Sequence, residues 1–332
     1  MVKKELQFLR NLVKEEVNKY SVIFINGDKD YNGVLSGYLE EYEQKEIDQK
    51  LSLVSKNYYF YNNPSTFVGD IILNRIDLNT YPTFIYSTAQ IGLDINRRSF
   101  IPNFSSLYNI HSLSSGGYQL SLMQNKYHYY QLAKEFCRIP KTYIYRDSSF
   151  DFSKIEQSKK WIIKPNLECS AKGVKLIKDI KELKNEVVVA SNIYRQDILI
   201  QEYIVGREIE IPVLISKNKV IALPPINVNK SSEYLSQEII DTEKYSFSIL
   251  QGKICANLQK TAEEICTNLE ARGLCRIDFI LDSEENFWLF DIAALPLIST
   301  HSSCYVAFRD IFPNDDSALY ESIIGAGLSW LV

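Results

Sequence analysis

The stretch RGLCRIDFILDSEENFWLFDIAALPLISTHSS, at residues 272–303, alternates apolar and polar side chains and predicts two strands joined by a polar turn. Two carboxylates, Asp278 and Asp291, fall inside the strands rather than in the turn. A buried carboxylate is unfavourable unless a cation compensates its charge. That cation is either a hard metal ion or the guanidinium of Arg276, two residues before Asp278 on the same strand face. Two salt-bridged structural acids are the alternative that this stretch alone leaves open.

The overall composition is that of a globular protein with more than one domain. The chain has 332 residues, of which 45% are hydrophobic and 23% are charged, so we expect two or three domains. A net charge of −4 argues against a nucleic-acid partner, because such a partner normally requires a basic surface.

The sequence predicts a cytoplasmic protein without a membrane partner. Lysine and glutamate side chains throughout residues 1–20 are incompatible with a signal peptide. No apolar run approaches the roughly 20 residues needed to span a bilayer. The six cysteines form no C-x-x-C pair and no zinc spacing with the three histidines, so we expect reduced, mostly buried thiols.

Residues 1–112 are predicted to form an open α/β domain. Short apolar runs at 22–25, 71–73 and 83–86 are typical of buried strands, and helix-like stretches separate them. The loop after the last of these runs contains Arg97 and Arg98, which we interpret as a solvated basic segment. The small and polar segment at 111–117 marks the end of this domain.

Two α+β subdomains, at 113–201 and 202–332, are predicted to follow. A strand at 161–165 carries Lys164 near its end, and the loop after it contains Ser170 and Gly173. A lysine charge beside small residues suits phosphate, although the Walker sequence G-x-x-x-x-G-K-[ST] does not occur. The acids of the 272–303 hairpin are suitable ligands for the Mg²⁺ ions that accompany a nucleotide triphosphate.

Six short motifs lie between residues 115 and 305. They are KPNLECS at 164–170, EYIVGRE at 202–208, LPP at 223–225, KY at 244–245, RIDF at 276–279 and DIAALP at 291–296. Their order and spacing resemble those of the ATP-grasp ligases, and most of all the D-alanine–D-alanine ligase branch. The resemblance implies an ATP-grasp fold, in which an N-terminal α/β domain is followed by two α+β subdomains that hold ATP between them. It also implies Mg²⁺ or Mn²⁺ as the metal, and a homodimer.

The resemblance assigns roles to individual residues. The nucleotide-binding set holds the phosphates, adenine and ribose, and comprises Lys126, Lys164, Ser170, Lys172, Gln201, Glu202, Ile204, Glu208, Lys244 and Tyr245. The catalytic set is Arg276, which stabilises the acyl phosphate and the tetrahedral intermediate, with Lys244 and Ser170. The metal ligands are Asp278 and Asp291, and the residues that receive substrate are Arg276, Ser302 and Ser303.

The sequence also departs from the family pattern. Ala293 stands where the family has an asparagine metal ligand, and Leu297 stands where a glycine donates its N–H to the oxyanion. Asp291 is one methylene shorter than the usual glutamate. The segments NGDKD at 26–30 and AQIGLD at 89–94 lack the substrate-binding signatures of true D-alanine–D-alanine ligases.

These features together predict an ATP-dependent carboxylate–amine ligase. We expect its substrates to be small amino acids or peptides, and we expect the reaction to belong to specialised metabolism. The alternatives are a D-alanine–D-alanine ligase proper and a nucleotide-binding relative with impaired catalysis. The second alternative follows from the changes at Ala293 and Leu297.

Overall fold

The computed structural model describes residues 2–27, 39–92, 94–230, 232–234 and 236–331. Its three sheets follow one another along the chain, the first within 21–112, the second within 142–202 and the third within 207–293.

The first sheet is parallel and confirms the predicted open α/β organisation. Its elements are α1 (Val2–Glu16), β1 (Ser21–Ile25), α2 (Glu41–Val54), β2 (Asn57–Tyr61), α3 (Pro64–Ile72), β3 (Thr83–Ser87), α4 (Phe100–Ser106) and β4 (Ile110–Ser112). The strand order is β2-β1-β3-β4, and the two central strands are buried along their whole length. Such continuous burial is typical of parallel strands covered on both faces.

The strand predicted at 71–73 is wrong, because Ile71 and Ile72 are the last residues of α3. Asn63 caps this helix and Pro64 is its first residue, which are both helix-start signals. A short apolar run fits a buried strand and a helix end equally well.

The second sheet is antiparallel, with the order β5-β8-β6-β7. Its part of the chain contains α5 (Gly117–Gln124), α6 (Lys126–Ala133), β5 (Thr142–Tyr145), β6 (Trp161–Pro165), β7 (Lys175–Ile177), α7 (Leu183–Tyr194) and β8 (Ile198–Glu202). Trp161 and Ile163 pack in the cluster that includes Val187 of α7. Because side chains alternate along a strand, Lys164 points to the opposite face of the sheet.

A break at Asn125 divides the helical segment before β5 in two. The Asn125 side chain accepts a hydrogen bond from the His128 N–H and caps α6. Lys126 therefore becomes the first residue of α6.

The third sheet has the order β12-β11-β9-β13-β14, with β10 paired to β9. The elements in its part of the chain are β9 (Arg207–Ile215), β10 (Val220–Ala222), β11 (Ile226–Lys230), α8 (Gln237–Asp241), β12 (Tyr245–Ile249), α9 (Ile254–Asn268), β13 (Gly273–Leu281) and β14 (Phe287–Ala293). The predicted hairpin at 272–303 is confirmed as β13 and β14. Asp278 of β13 lies opposite Asp291 of β14 and, on its other side, opposite Glu210 of β9.

The last two helices, α10 (Ser303–Ile311) and α11 (Ala318–Leu328), pack back against the start of the chain. Arg10 of α1 is buried and donates hydrogen bonds to Glu321 of α11 and to Asp315. None of the helices in the described part of the chain is long and apolar enough to cross a bilayer.

Candidate active site

A cavity of about 1180 Å³ lies between the three regions of the chain. The first region contributes Tyr86 and Arg98, and the central region contributes Lys126. The third region contributes Arg276 and Asp291 from the hairpin. The cavity is large enough for a nucleotide together with a small substrate.

Lys164 lies next to the cavity with its amino group inside the protein. Only 1% of the side chain is exposed, and Nζ donates to the Tyr130 hydroxyl (2.7 Å) and to the Phe290 carbonyl (3.0 Å). Burial lowers the pKa of Lys164 to about 7, against the opposing effect of the Asp291 charge. An anion bound beside this amino group would favour its charged form and raise the pKa again.

Asp291 joins the two predicted phosphate lysines. Lys126 Nζ lies 3.5 Å from Asp291 Oδ1, and the Tyr129 hydroxyl also donates to this oxygen. Burial on its own would raise the pKa of Asp291, but the charges of Lys126 and Lys164 hold it below its usual value. Asp291 is therefore an ionised carboxylate that pairs with Lys126 and also feels the charge of Lys164.

Arg276 compensates Asp278. Nε and Nη2 of Arg276 each donate to one oxygen of Asp278 at 2.8 Å. Asp278 is 2% exposed, and burial raises its pKa to about 8 even with the guanidinium beside it. The sequence left two compensating cations possible for Asp278, a metal ion or Arg276. In this structure the cation beside Asp278 is the Arg276 guanidinium.

Glu210 is a site residue that the sequence analysis missed. Arg276 Nη2 lies 3.2 Å from Glu210 Oε1, while Glu210 Oε2 is buried and has no hydrogen-bond partner. Burial raises the pKa of Glu210, although the Arg276 charge opposes this. The signal was available, since Glu210 follows Glu208 by two residues and so lies on the same face of the strand.

The loop after β6 contains Ser170 and Lys172, and both line the cavity. Ser170 and Ala171 have φ of 53°, in the left-handed region that side chains rarely adopt. Lys126 Nζ donates to the Glu168 carbonyl at the start of this loop (2.5 Å). The loop is thus held against the lysine end of the cavity.

The expectation of a solvated basic segment at residues 97 and 98 is wrong. Arg97 is 1% exposed, and its Nη1 lies 3.0 Å from Glu168 Oε1. It also donates to the Leu167 carbonyl, and Arg98 donates to Cys169 Sγ. A partner about 70 residues away along the chain is invisible to local pattern analysis.

The residues predicted to contact adenine and ribose are not among those that line the cavity. Gln201 is buried and donates to Thr142, and Glu202 accepts from Lys159 (2.8 Å). Glu208 is buried and forms a 2.5 Å ion pair with Lys230. Ile204 is half-buried just after β8.

Lys244 and Tyr245 differ in their placement. Lys244 is exposed and is not among the residues that line the cavity. Tyr245 lines it, and its ring packs against those of Phe247 and His301.

Ser302 and Ser303 lie at the start of α10. Ser302 caps this helix, since its Oγ accepts from the Tyr305 N–H and donates to the Ser299 carbonyl. Ser303 Oγ is buried without a hydrogen-bond partner. Its hydroxyl is close enough to lower the pKa of Glu210, which places both residues beside Arg276.

The donor set suits a magnesium ion that arrives with a nucleotide rather than an all-protein metal centre. Within the described ranges, no group of three or more His, Cys, Asp or Glu side chains is arranged to hold a metal ion. Asp291 lines the cavity and offers carboxylate oxygens, whereas both oxygens of Asp278 are bound by Arg276. Mg²⁺ in nucleotide sites commonly takes one or two carboxylates and completes its shell with phosphate and water.

The family model described as D-ala D-ala ligase C-terminus matches residues 135–311, which is more than half of the chain. The chain belongs to this family. Its fold is that of the ATP-grasp ligases, as predicted.

A D-alanine–D-alanine ligase of Buchnera aphidicola subsp. Schizaphis graminum (strain Sg) is 30% identical over 154 residues. The match covers 45% of this chain and 49% of that protein, so the chain spans about half the length of this curated relative. The D-alanine–D-alanine ligase of Petrotoga mobilis (strain DSM 10674 / SJ95) is 23% identical over 266 residues, which cover 76% of this chain and 85% of the relative.

The solved structure of D-alanine–D-alanine ligase from Bacillus anthracis complexed with ATP has a similar fold over nearly the whole chain. That structure aligns with a TM-score of 0.70 over 93% of this chain and 97% of the other, at 18% identity. At this identity the likeness establishes the fold.

Proposed function

We propose that the protein is an ATP-dependent ligase that joins a carboxylate to an amine through an acyl phosphate. The observation that carries the proposal is the convergence of Lys126, Lys164 and Arg276 on two hairpin carboxylates beside one cavity. Membership of the D-ala D-ala ligase C-terminus family supports it. The named relatives that act on D-alanine indicate small amino-acid substrates.

The proposed reaction depends on charge placement rather than on an enzyme nucleophile. Lys126 and Lys164 bind the phosphates of ATP and orient its γ-phosphate towards a substrate carboxylate. An oxygen of that carboxylate attacks the γ-phosphorus and ADP leaves. The substrate amine then attacks the acyl carbon, and inorganic phosphate leaves as the amide forms.

Arg276 stabilises the negative charge that develops on the carbonyl oxygen during the second step. Fixed charges in a cavity shielded from water are an effective source of rate enhancement. A magnesium ion bound with the nucleotide would neutralise phosphate charge. Asp291 would hold it, and Asp278 would be available to do so once Arg276 turns to the substrate.

We infer further that the substrates are not a pair of D-alanines, and that the reaction belongs to specialised metabolism. The segments at 26–30 and 89–94 lack the sequences expected for those substrates, and residues 28–30 and 93 lie outside the described residues. Gln90, in the second segment, lines the cavity, so a substrate bound there would lie beside a residue of this altered segment.

The test is ADP release from ATP with a panel of amino acids, dipeptides, amino-acid amides and diamines, in Mg²⁺ and in Mn²⁺. Hydroxylamine converts an acyl phosphate into a hydroxamate, so its addition should yield the hydroxamate of the true acid substrate. Lys164→Met should abolish both signals, while Lys260→Met, at an exposed position of α9, should leave both unchanged.

Background ADP release across the whole panel would contradict the ligase. If such a protein still bound the non-hydrolysable analogue AMP-PNP, it would be a nucleotide-binding relative without catalysis. The tight pairing of Asp278 with Arg276 and the apolar side chain of Ala293 favour this second candidate.

A further inference from the structure

One part of the cavity is negatively charged and lined by aromatic rings. We call it the acid pocket, and its residues are Glu43, Glu210, Glu243, Tyr245, Phe247 and His301. Burial raises the pKa of the Tyr245 phenol to about 12, with the charges of Glu210, Glu243 and Glu43 acting in the same direction and the Arg276 charge opposing them.

Arg276 cannot balance the charge of the acid pocket. Its single positive charge is shared between Asp278, which it binds through two hydrogen bonds, and Glu210. Glu43 and Glu243 are further carboxylates of the same pocket. A ligand cation placed beside Glu210 would therefore be favoured.

Glu210 provides the independent sign of a ligand. Its side chain is 3% exposed, it lines the cavity, and its Oε2 has no hydrogen-bond partner. The Ser303 hydroxyl lies near Glu210 and acts to lower its pKa, yet both Ser303 Oγ and Glu210 Oε2 are without a hydrogen-bond partner. An unpaired buried carboxylate oxygen is costly and calls for a further donor. An ammonium group carries three N–H donors and a positive charge, and so satisfies both needs.

The remaining walls suit the same group. The Tyr245 ring packs against Phe247 with centroids 5.4 Å apart and against His301 with centroids 5.1 Å apart. Aromatic faces attract ammonium ions. On the wall formed by α2, Glu43 is half-buried and Tyr42 donates to Glu243 (2.6 Å), which fixes a second carboxylate at the rim.

We propose that the acid pocket binds the ammonium group of the amine substrate and rejects an amine that carries a carboxylate next to it. The proposal rests on the proposed function, because it names the class of amine that the ligase joins. A carboxylate at this place would be repelled by the carboxylate of Glu210. The accepted substrates are therefore cationic amines, such as diamines or amino-acid amides, rather than free α-amino acids.

The test compares three probes that share one carbon skeleton: alanine, alaninamide and 1,2-diaminopropane, each in both enantiomers. Their dissociation constants are measured by titration calorimetry on the full chain saturated with AMP-PNP and Mg²⁺. We expect alanine to bind at least about tenfold more weakly than alaninamide, and 1,2-diaminopropane to bind at least as tightly as alaninamide.

Glu210→Gln keeps the shape of the side chain and removes its charge. In this variant the difference between alaninamide and alanine should fall to about threefold or less, with AMP-PNP binding unchanged. The control Glu264→Gln, which removes a partly exposed acid of α9, should keep the full difference. Glu43→Gln should also reduce the difference in affinity between alaninamide and alanine. It provides a second test if Glu210→Gln does not fold.

Several results would overturn the assignment. Alanine binding as tightly as alaninamide, or no probe binding to the AMP-PNP complex, would show that the acid pocket is not an amine site. Loss of AMP-PNP binding in Glu210→Gln would place Glu210 in the nucleotide site instead. Either result leaves the proposed function intact if ATP turnover is observed, whereas absence of turnover with every substrate counts against the ligase itself.

Discussion

Lys164 is a charged residue in a fully buried position, and its protonation depends on what lies beside it. Burial sets its pKa at about 7 in the free protein, well below the usual value of a lysine. Nucleotide phosphates would favour the charged form and raise this pKa. Below pH 7 the amino group already carries its proton, so binding at about pH 6 should take up little, whereas binding at about pH 8 should take up close to one proton.

This uptake is measured by titrating AMP-PNP in two buffers with different ionisation enthalpies. The apparent affinity should fall as the pH rises above 7, by up to about tenfold per unit. Lys164→Met should remove the pH dependence that belongs to this residue and most of the affinity, and Lys260→Met should alter neither. Equal proton uptake in Lys164→Met and the wild type would show that another group titrates.

Much of the candidate site could be predicted from residue types on single strands. Period-two alternation places Arg276 and Asp278 on one face, and their two hydrogen bonds follow from that spacing. The ionised state of Asp291 could not be predicted in the same way, because it depends on Lys126 and Tyr129 from a helix about 160 residues earlier in the chain.

At the scale of elements, strong local signals gave correct predictions and short apolar runs did not. The hairpin was predicted correctly because a polar turn separates two alternating segments. The break between α5 and α6 depends on one capping contact of Asn125, within a segment whose composition continues to favour helix. Such a contact depends on the path of the main chain and cannot be predicted from the composition of the segment.

Replacing either of two helical glycines by alanine is expected to change the stability of the protein, in opposite directions. A Cβ at Gly325 of α11 would lie 2.2 Å from the Leu9 carbonyl oxygen, whereas a Cβ at Gly69 of α3 would meet nothing within 4 Å. Gly325→Ala should therefore destabilise the protein by about 1–3 kcal/mol, because α1 and α11 must separate. Gly69→Ala should stabilise it by up to about 1 kcal/mol, since alanine favours helix.

Urea unfolding followed by circular dichroism measures both changes, and Gly69→Ala serves as the matched control for the substitution itself. A neutral effect of Gly325→Ala would mean that α11 does not approach α1 as closely as described.

At the scale of the whole molecule, the chain folds back so that its end completes its beginning. Leu6 and Leu9 of α1 belong to one core with Ile323 and Ile324 of α11. Hydrophobic periodicity predicts each helix, because it is a local property, but it does not say which apolar faces meet. The order of the three sheets was therefore predictable, while the closure of the last helices on the first domain was not.

The buried pair of Arg97 and Glu168 connects the first domain to the phosphate end of the cavity. Arg97 Nη1 and Gln196 Nε2 both donate to Glu168 Oε1, at 3.0 Å and 2.9 Å. Arg97→Met should destabilise the protein by about 3–5 kcal/mol, since it leaves the Glu168 carboxylate buried without its cation. It should also weaken AMP-PNP binding, because Lys126 is held by the carbonyl of the same glutamate.

A double-mutant cycle separates this coupling from a general loss of packing. The double variant Arg97→Met/Glu168→Met removes both charges and should be more stable than either single variant. Arg75→Met, which breaks the exposed pair with Asp70, should cost less than about 1 kcal/mol. Urea unfolding gives the stabilities, and AMP-PNP titration shows whether nucleotide affinity recovers with the double variant. Purely additive effects of the two substitutions would mean that this ion pair does not join the first domain to the nucleotide loop.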